Sequence, residues 1–364
     1  MPFIHKIETS TPAFSHRQED LRERMKEIVP VSDRDRKLIH HIYSKSGIET
    51  RHSVIDDFRE QGAHSLFFNG QGSSPGTASR NDTYIREGRK LFVDVAQKLI
   101  QNSDFLANDI THLITVSCTG FYAPGPDFDI IRALGLSPSI ERYHLGFMGC
   151  YASIPALKMA DQICKANPDA NVMIVSVELC TLHFQANPKL DNLLSASVFA
   201  DGGSGAIVSS REPAGTAFRL NRFVSDILEN SSKDMAWSIG DTGFEMILSN
   251  YIPDLLGDGM HLFLDDFEEH FSKTAVQIDL WAIHPGGRAI LDKIEDVLNL
   301  PEHALASSRR VLTEYGNMSS ATIFYVLKDL ITATTEDEPV GSKETIAMAF
   351  GPGLTLETVY LTLV

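Results

Sequence analysis

Strand-like and helix-like stretches alternate along this 364-residue chain, and that alternation predicts an α/β fold. Three observations carry the prediction. "NVMIVSVELC" (171–180) is an unbroken apolar run of strand length, as in a strand covered on both faces. The stretch just before it, from the "GCYA" turn through Ile154, Leu157 and Met159 to about Asn167, spaces its apolar residues as a helix does. In the second half "IDLWAIHPGG" (278–287) and "RAILDKIEDVL" (288–298) repeat the strand-then-helix order across a Pro-Gly-Gly turn.

The elements follow in order. Residues 17–46 read as helices, with Leu21, Met25 and Ile28, then Leu38, Ile39 and Ile42, near helical spacing. "GQGSSPGTASR" (70–80) reads as a loop. No strand closely precedes it and Pro75 interrupts it, so its glycines are not a dinucleotide fingerprint. "THLITVSCTG" (111–120) is a buried strand ending in a turn, "DFDIIRALGL" (127–136) a short helix closed by Gly135, and "RYHLGFM" (142–148) another strand. A helix then runs to about Asn167. "ASVFADGGSGAIVSS" (196–210) reads as a glycine turn followed by a strand. Residues 307–332 hold a turn at Gly316 with a helix after it, and 344–364 form two strands about Gly351-Pro352-Gly353.

Composition narrows the function classes. A chain with 32 Lys and Arg against 48 Asp and Glu carries a net charge of -16, which disfavours nucleic acid as a partner. Arg22, Arg24, Lys26, Arg34, Arg36, Lys37, Lys45 and Arg51 are a local exception. They make either a solvated helical face or a site for an anionic ligand, and charge alone leaves both open. No run of about 18 apolar residues exists, so no membrane span is expected. The N-terminus lacks a secretory signal pattern, so a cytoplasmic location is expected. The four cysteines, Cys118, Cys150, Cys164 and Cys180, then read as thiols rather than a disulfide framework. With no CxxC and no HExxH, no metal site is expected.

One internal echo links the halves: "GCYASIPAL" (149–157) resembles "GNMSSATIF" (316–324), each a glycine, a polar residue and a small-residue helix start. The first polar residue is Cys150. At a helix N-terminus, unpaired N–H groups and the dipole can lower a thiol pKa from about 8.5 to roughly 3.5–7.5, suiting a nucleophile. A buried structural thiol is the alternative, which fits Cys164, Cys118 and Cys180 better than Cys150. The second polar residue, Asn317, is either a helix cap or a donor to a developing oxyanion. His284 ends an apolar strand, on the side where parallel sheets place ligands.

Cys150 in "GCYA", His284 in "IHPGG", Asn317 in "YGNMSSA" and the closing "FGPGLTLE" (350–357) resemble the type III polyketide synthases, the group that includes chalcone synthase. The Cys-His-Asn order is shared across the thiolase superfamily, whereas "IHPGG" and "FGPG" are more specific. "CTGFYAPG" (118–125) resembles bacterial members more than plant ones. The resemblance implies a thiolase fold of two similar halves, 1–212 with the cysteine and 213–364 with the histidine and asparagine, packed as αβαβα layers. It implies an acyl-CoA starter loaded on Cys150, extended by decarboxylative Claisen condensation with malonyl-CoA and cyclised to a pyrone or phenolic product. His284 and Asn317 stabilise the enolate. It further implies that the CoA thioesters are substrates, that no cofactor is needed and that the enzyme is a homodimer. Phe199 matches a gatekeeper phenylalanine, and Met260 or Phe263 is expected to hold the second gate. Cys118, Cys180 and His183 stand where the family has cavity threonines, and Ser319 is counted with the pocket. Lys45 matches a CoA-phosphate contact, with Lys37 and Arg36 near two more. Ala123 replaces a methionine that reaches across the dimer, and Ala349 the first glycine of the usual "GFGPG". The alternative is another thiolase-fold condensing enzyme, of ketoacyl-carrier-protein synthase or hydroxymethylglutaryl-CoA synthase type. A non-catalytic partner subunit would typically lack the nucleophile.

Overall fold

The computed structural model describes residues 1–29, 32–58, 66–67, 74–228, 233, 235–249, 252–337 and 341–364. β1 (Phe3–Ser10) and β2 (Phe14–Arg17) lead into α1 (Gln18–Ile28) and α2 (Asp33–Lys45). Ser32 and Asp35 start α2 with a reciprocal capping box. Next come β3 (Thr50–Ser53), α3 (Thr77–Gln101), β4 (His112–Ser117), α4 (Pro126–Leu134), β5 (Glu141–Gly146) and α5 (Ser153–Ala166). β6 (Asn171–Leu179), α6 (Leu190–Val198) and β7 (Asp201–Ser209) follow. β8 (Phe218–Ile227), the hairpin β9 (Met235–Gly240) and β10 (Gly243–Leu248), α7 (Ile252–Asp265) and α8 (Phe267–Phe271) open the second half. β11 (Leu280–Ile283), α9 (Arg288–Val297), α10 (Ala306–Tyr315), α11 (Thr322–Asp337), β12 (Lys343–Gly351) and β13 (Thr355–Leu363) complete it.

Nine strands form one sheet in the order β11-β12-β13-β8-β1-β7-β6-β4-β5. Strands from the first half occupy one side and those from the second half the other, meeting where Phe3 and Ile4 pair with Arg219 and Phe218. Apolar side chains from α5 and α11 pack against strands of both sides in one cluster, so these two helices form the middle layer. α3 and α4 cover the outer face of the first half, and α7 and α9 that of the second. The layers are therefore α, β, α, β, α.

Local sequence explains most of this. β6 lies between β4 and β7, buried at every residue, as its continuous apolar run requires. β5 takes the edge, and its residues 141–144 are exposed. Two expectations change. β1, which the sequence did not announce, is a central strand. Its two-residue alternation is broken by a register shift between Ile4 and Lys6, which hides the strand pattern. The glycines after Asp201 lie inside β7 rather than in a turn. A Cβ on Gly202 would meet Met318 Sδ at 2.3 Å, so glycine there permits close packing of strand on helix layer. Of the loop expected at 70–80, residues 70–73 lie outside the described residues and α3 begins at Thr77.

Candidate active site

Cys150 sits in the turn that leads into α5, three residues ahead of its first helical residue, Ser153. Gly149 makes that turn possible, with φ +89° and so little room that a Cβ would meet Pro352 Cδ at 2.4 Å. The "GCY" turn and the "GPG" turn between β12 and β13 therefore interlock. Gly316, its counterpart before Asn317, also has positive φ, +71°, and the chain then enters α11 through a 3₁₀ turn over Ser319–Ala321. The echo in sequence is thus an echo in backbone: two glycine turns deliver Cys150 and Asn317 to the starts of the two middle-layer helices.

His284 follows the last residue of β11, where its N–H donates to Met348 O at 2.8 Å and Gly286 N–H closes the tight turn onto His284 O at 3.0 Å. The Asn317 amide has a fixed orientation. Its Oδ1 accepts the Ser319 N–H at 2.9 Å and its Nδ2 donates to Gly286 O at 3.2 Å, which leaves one Nδ2 hydrogen for another acceptor. Asn317 also exchanges backbone hydrogen bonds with Val198 and Ala200, which places Phe199 beside it.

Cys150, His284 and Asn317 line one cavity of about 360 Å³. Phe199, Cys118, Cys180 and Ser319 line it too, as does Lys45. The other expected residues do not. Met260 is buried on α7 in the outer core, packed in a cluster that holds Phe263, Phe267 and Phe271. That wall of the cavity is instead formed by the β9–β10 hairpin, through Met235, Trp237, Met246 and Leu248. Lys37 is exposed on α2, outside the lining, although His41 and Lys45, four and eight residues on and so on its face of the helix, reach the cavity. His183 lines a smaller neighbouring compartment, with both nitrogens engaged. Nδ1 accepts the Phe244 N–H at 3.0 Å, so Nε2–H donates to Thr119 O at 2.7 Å. Arg288 lies near Lys45 in the lining and Arg36 is exposed. Ala123 is exposed, and Ala349 is buried in β12.

Burial governs the electrostatics. It pushes the Cys150 thiol up to about 11, against hydrogen bonds from Ser319 and Asn317, and the His284 imidazole down to about 3. The expected lowering of the Cys150 pKa is therefore opposed by desolvation of the thiolate. Either charge alone is unfavourable here. A proton passed from sulfur to imidazole creates both charges at once, and their attraction in a low-dielectric chamber offsets the penalty. His284 is 1% exposed, yet neither ring nitrogen has a hydrogen-bond partner among the described residues. A buried polar group without a partner is rare in native structures and marks a position that a ligand completes.

Sequence reasoning missed two residues. Glu178 is a fully buried carboxylate behind the chamber. It accepts from Cys118 N–H at 3.0 Å, from Thr119 Oγ1 at 2.9 Å and from Ser320 Oγ, and burial raises its pKa. A lone acid in the otherwise apolar β6 run was its signal. Trp237 lay in "MAWSIGDTGFEMIL", whose turn residues between apolar runs mark a hairpin.

Comparison with known proteins agrees with this geometry. The model for the N-terminal domain of chalcone and stilbene synthases matches residues 3–213, and that for their C-terminal domain matches residues 219–364. The chain belongs to the chalcone and stilbene synthase family. Its relatives in the family include an alpha-pyrone synthesis polyketide synthase-like protein of Mycobacterium tuberculosis, 29% identical over 97% of this chain and 89% of that one. A 1,3,6,8-tetrahydroxynaphthalene synthase of Streptomyces coelicolor is 31% identical over 87% of this chain and 80% of that one. Among solved structures, the crystal structure of PKS-I from the brown alga Ectocarpus siliculosus superposes with a TM-score of 0.93 at 28% identity, covering 100% of this chain and 98% of that one. Family membership carries the thiolase fold and the activity of a type III polyketide synthase, an acyltransferase that forms carbon–carbon bonds.

Proposed function

We propose that the chain condenses free CoA esters, with Cys150 as acyl acceptor and His284 and Asn317 as its two catalytic partners. The observation that carries this reading is the pair of unpartnered nitrogens on buried His284, in one apolar cavity with a free thiol and an oriented amide. In the loading step His284 takes the Cys150 proton as sulfur attacks the starter thioester, and the CoA sulfur leaves with that proton. Malonyl-CoA then enters. Its C–CO₂ bond breaks, the electron pair moves into the thioester enolate, and the negative oxygen accepts from the His284 N–H and the free Asn317 Nδ2 hydrogen. Each such donor is worth about 2.7–4 kcal/mol at the transition state. The enolate carbon attacks the acyl carbonyl, and Cys150 leaves as thiolate, ready for the next round. The electrons for the new bond come from decarboxylation, so the step needs no redox cofactor or metal.

Lys45 and Arg288, both in the cavity lining, support binding of the CoA phosphates there, with Lys37 exposed further along α2. A pyrone or phenolic product is released by cyclisation, in line with what the names of the relatives describe. The exposed edge of β5, with Phe121 and Tyr143 exposed nearby, supports a homodimer. No described helix is long and apolar enough to cross a membrane, and free thiols suit a reducing, cytoplasmic setting.

The test is mass spectrometry of products from the purified enzyme, malonyl-CoA and a panel of aromatic and fatty acyl-CoA starters, beside Cys150→Ala. Tri- or tetraketide products that disappear in the variant are expected. Condensation with a malonyl carrier protein only, and none with free CoA esters, would overturn the CoA reading and the role of Lys45.

A further inference from the structure

Three free thiols share the chamber, for Cys118, Cys150 and Cys180 all line it. They come from neighbouring strands. β6, β4 and β5 run side by side and parallel with β4 in the middle, and a cysteine lies just beyond the end of each. Cys180 directly follows β6, Cys118 directly follows β4, and Cys150 comes four residues after β5. Phe147 N–H donates to Ser117 O at 3.2 Å, which holds the start of the Cys150 turn against the residue before Cys118. In strand order Cys118 is therefore the neighbour of Cys150, and Cys180 is one strand further away. One hydroxyl joins the first two. Ser319 Oγ lies 3.5 Å from Cys118 Sγ and also hydrogen-bonds the Cys150 thiol. Ser319 is fixed in that place by a left-handed backbone, φ +49°, and by its N–H bond to Asn317 Oδ1.

We propose that Cys150 and Cys118 form a redox modification site, in which hydrogen peroxide that enters the chamber oxidises Cys150 and Cys118 closes the oxidised sulfur into a disulfide that a thiol reductant reopens. The proposal rests on the condensing activity argued above, because the same proton transfer to His284 makes Cys150 the reactive sulfur. In the first step the Cys150 thiolate attacks the peroxide and the O–O bond breaks. The leaving hydroxide takes the proton from His284 and departs as water, and Cys150, having lost two electrons, is a sulfenic acid. In the second step Cys118 sulfur attacks Cys150 sulfur and the S–OH bond breaks. The Cys118 proton leaves with the hydroxyl as a second water. Closing the bond needs both sulfurs to turn from the shared Ser319 hydroxyl onto each other.

The surroundings set which sulfur is oxidised first. Burial and the neighbouring Glu178 carboxylate push the Cys118 thiol well above its ordinary range, so it stays protonated and does not compete for peroxide. Burial pushes Cys150 up as well, but Cys150 shares its chamber with the His284 imidazole, whose nitrogens are free to accept its proton. The disulfide ties up the acyl-accepting sulfur and so stops turnover. It also keeps Cys150 from the sulfinic and sulfonic acids, which thiol reductants do not reverse.

The experiment treats the purified enzyme with hydrogen peroxide in the absence of CoA esters. It reads cross-linked peptides in a non-reducing digest, the free thiols that remain, and the share of untreated activity that returns with dithiothreitol. In wild type a peptide joining Cys118 to Cys150, loss of two free thiols and recovery of activity are expected. Cys118→Ser should lose activity under the same treatment and recover little of it, with Cys150 oxidised to sulfinic or sulfonic acid. Dimedone added with the peroxide should trap the sulfenic acid in that variant. Cys180→Ser should still form the cross-link. Each variant is compared with its own untreated activity, since both residues line the chamber. If Cys118→Ser does not fold, the wild-type digest decides alone. Overoxidised Cys150 in wild type with no Cys118 link, a link to Cys180 instead, or equal recovery in wild type and Cys118→Ser would overturn the disulfide and leave the condensing reading in place. If no starter gives a Cys150-dependent product, the condensing reading fails, and the reactivity assigned to Cys150 fails with it.

Discussion

Replacing Asn317 by alanine removes the proposed oxyanion donor and two structural hydrogen bonds together, and the structure separates their consequences. The Nδ2 bond to Gly286 O and the Oδ1 bond from Ser319 N–H both disappear at a position 2% exposed. Each buried partner left unsatisfied costs about 1–3 kcal/mol, so unfolding should shift to lower urea. The lost donor acts on the decarboxylation barrier, about 2.7–4 kcal/mol or 10²–10³ in rate. In the proposed mechanism, transfer of the starter to sulfur depends on the Cys150 thiol and the His284 imidazole, both of which remain. Carbon dioxide release from malonyl-CoA should therefore fall by about 10²–10³, and acyl-enzyme formation, followed by intact-protein mass, should fall far less. Asn317→Asp keeps an acceptor for Ser319 N–H and still lacks the donor, so it should be the more stable variant and no faster. Decarboxylation within a few-fold of wild type, or loading lost in step with it, would show that Asn317 is a structural cap and not an oxyanion donor.

Three further outcomes are expected. Removing the imidazole with His284→Ala takes away the proposed acceptor of the Cys150 proton while burial still disfavours the thiolate, so the pH profile of iodoacetamide alkylation at Cys150 should move upward; matching profiles in variant and wild type would remove His284 as its proton partner. Gly149→Ala places a Cβ 2.4 Å from Pro352 Cδ and strains a φ of +89°, so thermal stability should drop by about 1–3 kcal/mol or more, and a melting curve like that of wild type would contradict the interlocked turns. His183 is held neutral, with a pKa near 3 against an ordinary 6.5. The unfolded chain binds the extra proton between those values, so its share of stability is full above about 6.5 and is lost as pH falls, by up to about 1.4 kcal/mol per pH unit. Urea unfolding at pH 7 and 5 should show a smaller acid loss for His183→Gln than for wild type, and equal losses would mean that His183 is not held neutral.

Much of the site was legible because the chemistry sits in short turns whose residue types are constrained locally. Gly149-Cys150, His284-Pro-Gly-Gly and Gly316-Asn317 each combine a backbone demand with a reactive or polar side chain, and both survive in one dimension. Phe199 was reached through the family resemblance alone, and the structure then sets it beside Asn317 through paired backbone hydrogen bonds. The cavity wall was different. Met260 and Met246 are both methionines on the apolar face of a regular element, and nothing local says which faces solid core and which faces empty space. That depends on how the hairpin lies over the chamber.

The amino-acid sequence by itself determined the α/β class and the order of the elements around the glycine turns, which follow from periodicity and backbone conformation acting over a few residues. The same turns marked Cys150, His284 and Asn317 as candidates, and the family resemblance joined the three. Only the tertiary structure decided that β1 joins the two halves in one sheet, that Lys45 lines the cavity and Lys37 does not, and that Trp237 forms part of its wall. It also decided that burial opposes ionisation of Cys150 and His284, because desolvation depends on every atom that surrounds a group, and those atoms come from segments far apart in the chain.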